Sequence, residues 1–250
     1  KVITCAATFY DLDDPNKAVS QMKNLLMEDG IICIQVSYLY DTVCDMNFYD
    51  FCQEHLTYYS LKTLIHLFKQ NDLEIFDAST NSVNGGSIRI MVSHPGKFKK
   101  STTNLKYFLL KEKIFHLEHP LTYKRLAELI DMSVDMVKNY IQKLKGDLIG
   151  LGASTKGNIL IQLCGLSKKD MSYLSDRNPL KHGLKTLGTD IDIISEEEAR
   201  EKNPKCMLLI PWNFKNEIVE REKDYIKNGG NLLFVMPYPY ILNKEGEFRL

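Results

Sequence analysis

The chain has 250 residues, with 32 Lys plus Arg balancing 32 Asp plus Glu for a formal net charge of zero. That balance excludes an overall field able to gather nucleic acid or an anionic membrane, and leaves only a local anion site open. Apolar residues at 44% and charged residues at 26% fit a globular protein of one large or two small domains.

No apolar run approaches the roughly 18 residues of a membrane helix, and no signal peptide is visible. The six cysteines (Cys5, Cys33, Cys44, Cys52, Cys164 and Cys206) are scattered without a CxxC pair. Most sit in apolar stretches, which fits reduced, buried thiols in a cytoplasmic protein and no metal site. The chain opens on KVITCAATFYD without an initiator methionine, and reads as a piece that begins inside a domain.

In chain order, the β-branched run at 2–7 predicts a strand. Asp14-Pro15 is a helix start, with an N-cap Asp and Pro at the first helical position. Ala18, Val19, Met22, Leu25 and Leu26 recur at helical spacing, Asp29-Gly30 stops that helix, and IICIQVS predicts a fully buried strand. Ser60 begins a helix with Leu61, Leu64, Ile65, Leu67 and Phe68 inward. LEIFDAS, the turn Asn84-Gly85-Gly86 and SIRIMVS then predict two strands, joined too briefly for a parallel crossover and hence antiparallel.

Residues 97–145 are charged and helical, and read as amphipathic connecting helices interrupted at Pro120. From residue 146 a second α/β unit follows: DLIGL, a glycine loop, a helix, MSYLS, CMLLI, a helix through KNEIVEREKDYIKNGG, and NLLFVMP. Alternation at this spacing predicts a small parallel, Rossmann-like sheet, with ligands at the carboxyl ends of its strands. The expected division is therefore 1–96, 97–145 and 146–250.

Two stretches carry candidate chemistry. The loop at 150–158, GLGASTKGN, follows a strand and opens a helix, where free N–H groups and the dipole favour an anion. Gly152, Ser154, Lys156 and Asn158 are its candidate phosphate contacts. The spacing is neither a P-loop nor a strict GxGxxG, and a tight strand–helix turn is the competing reading. Asn178, Trp212 and Asn213 end neighbouring strands and are expected on the same crevice. The second stretch, CQEHLTYYS at 52–60, sets Glu54 beside His55, whose imidazole titrates near neutrality and suits general-base work. An adjacent Glu-His pair is by itself a weak signal. His66, His94, His116, His119 and His182 lack partners at metal-ligand spacing and read as structural or surface residues.

Several blocks in one order carry a resemblance. ITCAATFYDLDDPNK, GIICIQVSYL, NFYDFCQEHLTYYSL and VNGGSIRI closely resemble the S-adenosylmethionine (SAM)-dependent sugar C-methyltransferases that act on nucleotide-linked keto-deoxysugars. LGASTKGNILIQLCG, SDRNPLKHGLKTLGTDIDI and PWNFKNEIVERE look like that family's C-terminal domain. The resemblance implies an α/β protein comprising the second half of a class I methyltransferase Rossmann sheet and a C-terminal Rossmann-like substrate domain.

The resemblance further implies His55 as the base that removes a proton alpha to the sugar ketone, with Glu54 orienting or polarising it or contacting the sugar. Phe9 and Tyr10 would meet SAM, and Asn84, Gly85 and Gly86 the nucleotide-sugar substrate. Some members carry Tyr where this chain has Cys52 and His where it has Gln53, so Tyr58, Tyr59 or Tyr38 is expected to supply the missing hydroxyl. Family members also carry an N-terminal zinc-binding segment and a glycine-rich SAM loop, neither among these residues. SAM is thus the expected cofactor of the full-length protein, and zinc belongs only to that segment. A non-catalytic nucleotide-sugar-binding module and an NAD-binding oxidoreductase resting on the glycine loop are the alternatives.

Overall fold

The computed structural model describes residues 1–250. They form two compact units, one of Lys1–Asp45 with Gln53–Arg125, the other of Met46–Cys52 with Leu126–Leu250. The helical stretch at 97–145 is divided between them.

In the first unit, β1 (Val2–Ala6) leads through a short 3₁₀ turn to α1 (Pro15–Leu25), where the Asp14 side chain accepts the Lys17 N–H. β2 (Ile31–Ser37) and the short α2 (Leu39–Cys44) precede α3 (Leu61–Gln70). At α3 the Ser60 side chain takes the Thr63 N–H and Thr63 takes the Ser60 N–H, so two donors are satisfied reciprocally. β3 (Glu74–Asn81) and β4 (Ser87–Ser93) follow, then α4 (Thr102–Ile114).

The sheet order is β1-β2-β4-β3, with β1 parallel to β2 and β4 antiparallel to both its neighbours. The expected antiparallel pairing of the last two strands is present, and β4 inserts between β2 and β3. One core cluster joins the sheet to its helices, through Val19 of α1, Leu61, Leu64 and Phe68 of α3, and Leu105 and Phe108 of α4.

β2 departs from the expected full burial. Ile32, Ile34 and Val36 are buried, whereas Ile31, Cys33 and Gln35 are half-buried. The Gln35 side-chain oxygen accepts from Asn81 Nδ2 (3.1 Å) and Arg89 Nη2 (2.8 Å), so this face carries a polar cluster.

The second unit contains most of α5 (Pro120–Leu144). Pro120 opens that helix rather than interrupting it, at a position where its missing N–H costs nothing. β5 (Leu148–Leu151), α6 (Thr155–Leu163), β6 (Tyr173–Ser175), β7 (Asp192–Ile194), α7 (Glu196–Glu201) and β8 (Cys206–Leu209) follow. Then come α8 (Lys215–Arg221), α9 (Lys223–Lys227), β9 (Asn231–Phe234), β10 (Tyr240–Asn243) and β11 (Gly246–Arg249).

The strand order is β11-β10-β9-β8-β5-β6-β7. Strands β9, β8, β5, β6 and β7 are parallel, and the β10–β11 hairpin extends one edge antiparallel. The chain steps outward from β5 to β6 and β7, then returns to β8 on the other flank of β5. That reversal opens a crevice at the carboxyl ends of β5 and β8.

The predicted single helix after Trp212 is two. It breaks at Glu222, which is 1% exposed and turns inward to accept both Arg200 Nε (3.0 Å) and Arg200 Nη2 (2.7 Å). All six cysteines are free, but only Cys164 and Cys206 are buried. No helix is long and apolar enough to cross a membrane, and no group of three His, Cys, Asp or Glu side chains could hold a metal ion.

Gly157 lies where α6 crosses the end of β8, and a Cβ there would overlap Ile210 Cγ2. Overpacking of this kind costs about 1–3 kcal/mol. Gly157→Ala should therefore lower stability by that amount in a denaturant melt, whereas exposed Gly183→Ala sits in open space and loses only what its positive φ costs.

Candidate functional site

In the first unit the candidate residues gather at the carboxyl ends of β1 and β2. The turn after β1 presents Phe9 and Tyr10. The Tyr10 carbonyl accepts two successive amides from the loop, Leu56 N–H at 2.9 Å and Thr57 N–H at 3.1 Å. The Tyr10 ring centroid lies 4.1 Å from that of His55, and the His55 residue is 9% exposed. Phe9 is enclosed, with ring centroids 5.4 Å from Tyr59 and 6.2 Å from Phe68. Phe9 and Tyr10 thus carry the His55 loop with side chains the resemblance offers to SAM. The loop returns beside the start of α2, just past the end of β2, where Leu39 N–H donates to the Tyr59 carbonyl at 3.0 Å.

Glu54 is exposed, on the solvent side of a loop whose histidine points inward. Tyr58 lies 6.4 Å from the imidazole, centroid to centroid. Ser37 Oγ at the end of β2 is buried without a hydrogen bond, and the buried Tyr59 hydroxyl has only the Thr57 side chain as a weak partner. Burial raises the Tyr59 pKa, with Thr57 acting in the opposite sense, so Tyr59 stays a protonated donor at neutral pH. An orphaned polar atom at the carboxyl end of a central strand, Ser37 Oγ, fits a polar ligand. That fit extends to a SAM-bearing site only in part, because the Phe9 ring is consumed by packing.

The turn at 84–86 is conformationally demanding. Asn84, Gly85 and Gly86 all have positive φ, and the Gly86 carbonyl accepts the Tyr38 N–H at 3.1 Å. A Cβ on Gly86 would fall 2.5 Å from Asp41 Cβ and 2.7 Å from Asp41 Oδ2. Asp41, which no spacing or motif singles out, stands directly against the candidate substrate turn. Burial pushes its carboxyl up to about 6, with Lys111 opposing and Asp45 reinforcing.

In the second unit, Lys156 is not a free cation. Its ammonium is ion-paired and hydrogen-bonded to Asp50, whose side chain is 2% exposed, and lies 5.6 Å from the centre of the Tyr49 ring. The Tyr49 hydroxyl, on the same segment, hydrogen-bonds Asn213 Oδ1. Lys156 and Asn213, expected at a ligand crevice, both hold residues 46–52 instead. The signal in the sequence was Asp50 itself, a lone carboxylate inside the aromatic run NFYDF, which demands a buried partner.

The glycine loop is partly packed by its own protein. Gly152 has φ +91°, and a Cβ there would fall 2.7 Å from Pro211 Cδ. Ser154 caps α6 by accepting the Gly157 N–H at 3.0 Å. The Ala153 N–H donates to Asp176 Oδ2 (2.9 Å), which Lys181 also contacts at 3.1 Å. A carboxylate already stands where a phosphate was expected. Asn178 caps the turn at Leu180, Asn158 is half-buried, and Trp212 packs against the core cluster of Leu151, Met207 and Phe234. Gly152 and Ser154 nevertheless line a cleft of about 300 Å³, together with Asp176, Arg177, Phe214 and Arg221, among others.

Residues 82–237 match the C-methyltransferase C-terminal domain family. The chain is also 28% identical over 240 residues to the C-methyltransferase NovU of Streptomyces niveus, covering 95% of this chain and 57% of that protein. The chain therefore spans little more than half the length of that curated relative.

Two outcomes follow from these contacts. Because Asp41 binds its proton more tightly when folded, stability should fall as pH rises from about 4, the ordinary aspartate value, to about 6. Thermal melts of Asp41→Asn across that window should lose this part of the pH dependence, and an unaltered profile would remove Asp41 as its source. Lys156→Ala should destabilise the second unit by roughly 3 kcal/mol, as expected when one partner of a buried pair is deleted. A denaturant melt measures it.

Proposed function

The chain belongs to the C-methyltransferase C-terminal domain family, and from that premise we propose that the intact protein methylates carbon, with His55 as the general base. The substrate class is a nucleotide-linked deoxysugar bearing a ketone, and the carbon methylated is the one alpha to that ketone. The first-unit sheet, with β4 antiparallel between β2 and β3, supports assigning it to the second half of a class I methyltransferase fold.

The observation that carries the reading is the mooring of the His55 loop on Tyr10. A base must be held still to work, and the imidazole is packed against one ring, with its following two amides bound to one carbonyl. His55 takes the proton alpha to the ketone, and the C–H electron pair moves toward the carbonyl oxygen to give an enolate. The Tyr59 phenol, kept protonated by burial, is the donor best suited to steady that oxyanion. Glu54, being exposed, acts on the substrate or on the electrostatics of the loop. SAM, when bound, supplies the electrophilic methyl group that the carbon nucleophile requires.

Exchange of the substrate's alpha proton with deuterated solvent, measured without SAM, isolates the base from methyl transfer. His55→Asn in the intact protein should slow this exchange and turnover by about 10²–10⁴-fold, the usual contribution of a general base. Exchange at the wild-type rate would remove His55 from the role and bring Tyr58 or Tyr59 forward.

A further inference from the structure

Glu112 lies on α4, far in sequence from the His55 loop, and its residue is 5% exposed. Its two carboxylate oxygens collect three donors. Oε1 accepts the Tyr38 hydroxyl at 2.9 Å and the Leu61 N–H at 2.5 Å, and Oε2 accepts the Lys62 N–H at 3.1 Å. Leu61 and Lys62 are the first two residues of α3, whose amides have no partner within their own helix. Ser60 already serves the third amide, so Glu112 completes the cap.

A carboxylate is an expensive choice for a buried cap. Burial pushes the Glu112 carboxyl up, while the two amides and the Tyr38 hydroxyl pull it back down. What the charge adds is capacity, because both oxygens of a carboxylate accept, whereas an amide offers only one acceptor atom. The donors also come from opposite ends of one excursion. Tyr38 immediately follows β2, Leu61 begins α3, and His55, Tyr58 and Tyr59 lie between them.

We propose that Glu112 is a positioning residue that clamps the two ends of the His55 loop, so that the loop closes on Tyr10 with the imidazole in one place. This rests on the general-base reading above, but the clamp is measurable without it. Glu112→Gln keeps the shape and one acceptor oxygen but cannot offer acceptors to all three donors. Tyr38→Phe removes a single hydroxyl and leaves the α3 cap intact.

The experiment is amide hydrogen exchange with an NMR titration of the His55 imidazole, on wild type, Glu112→Gln and Tyr38→Phe, beside steady-state turnover of the intact protein. In Glu112→Gln, exchange at Leu56 and Thr57 should quicken by about tenfold or more, as in a local opening. Ile88 and Ile90 in β4 should keep their wild-type exchange, and the His55 titration midpoint should move. The kcat should fall by about 10–100-fold with KM nearly unchanged, since a small misplacement of a catalytic group is costly. Tyr38→Phe should move every readout the same way by less, and it carries the test alone if Glu112→Gln fails to fold.

Faster exchange confined to Leu61 and Lys62, with Leu56, Thr57 and the His55 titration as in wild type, would make Glu112 only a helix cap and overturn the proposal. If the wild-type protein shows no substrate proton exchange while Leu56 and Thr57 still respond to Glu112→Gln, the general-base reading falls and the clamp stands.

Discussion

The carbonyl oxygen of Tyr10 takes two consecutive loop amides, and the geometry of the first unit's candidate site follows from that one acceptor. A loop with no secondary structure of its own must find partners for its backbone donors or leave them to water. Leu56 and Thr57 find theirs on the turn after β1, which brings His55 against the Tyr10 ring. Phe9, one residue earlier, anchors the same turn in the core between Tyr59 and Phe68. The site is therefore built on the sheet rather than beside it, and the imidazole inherits the rigidity of β1 and β2.

Buried charge organises the second unit in a different way. Asp50, Asp176 and Glu222 are carboxylates whose desolvation is offset by Lys156, Lys181 and Arg200 respectively. Two of these pairs lie at the glycine loop after β5. Asp176 takes a loop amide, Asp50 takes the loop's lysine, and Pro211 fills the space beside Gly152. The protein's own side chains thus satisfy the Ala153 amide and the Lys156 ammonium of this loop. The room that remains is the cleft that Gly152 and Ser154 of the loop line together with Phe214, Arg177 and Arg221.

Local signals in the sequence were reliable where a short-range interaction decides the outcome. Asp14-Pro15 started α1, Ser60 started α3, and the positive-φ turn at 84–86 joined two antiparallel strands. The reading was less complete where strands are short or edges matter. The three-residue β7 and the β10–β11 hairpin carry too few residues, or too exposed a pattern, for periodicity to mark them. Glu222 broke a helix that looks continuous, because its partner Arg200 sits on a different element.

From the chain alone came the α/β class, two sheet-bearing regions, most helices and strands, the resemblance to sugar C-methyltransferases and the choice of His55. Those features are written in residue spacing, in capping side chains and in several ordered blocks, all of them local or linear. Tertiary structure alone decided the insertion of β4 between β2 and β3, the partners of Lys156 and Asp176, the placement of Asp41 against Gly86, and the gathering of three donors on Glu112. Each depends on groups distant in sequence meeting at hydrogen-bonding or van der Waals range, where a buried charge must find its partner, and no periodicity along the chain encodes which partner that is.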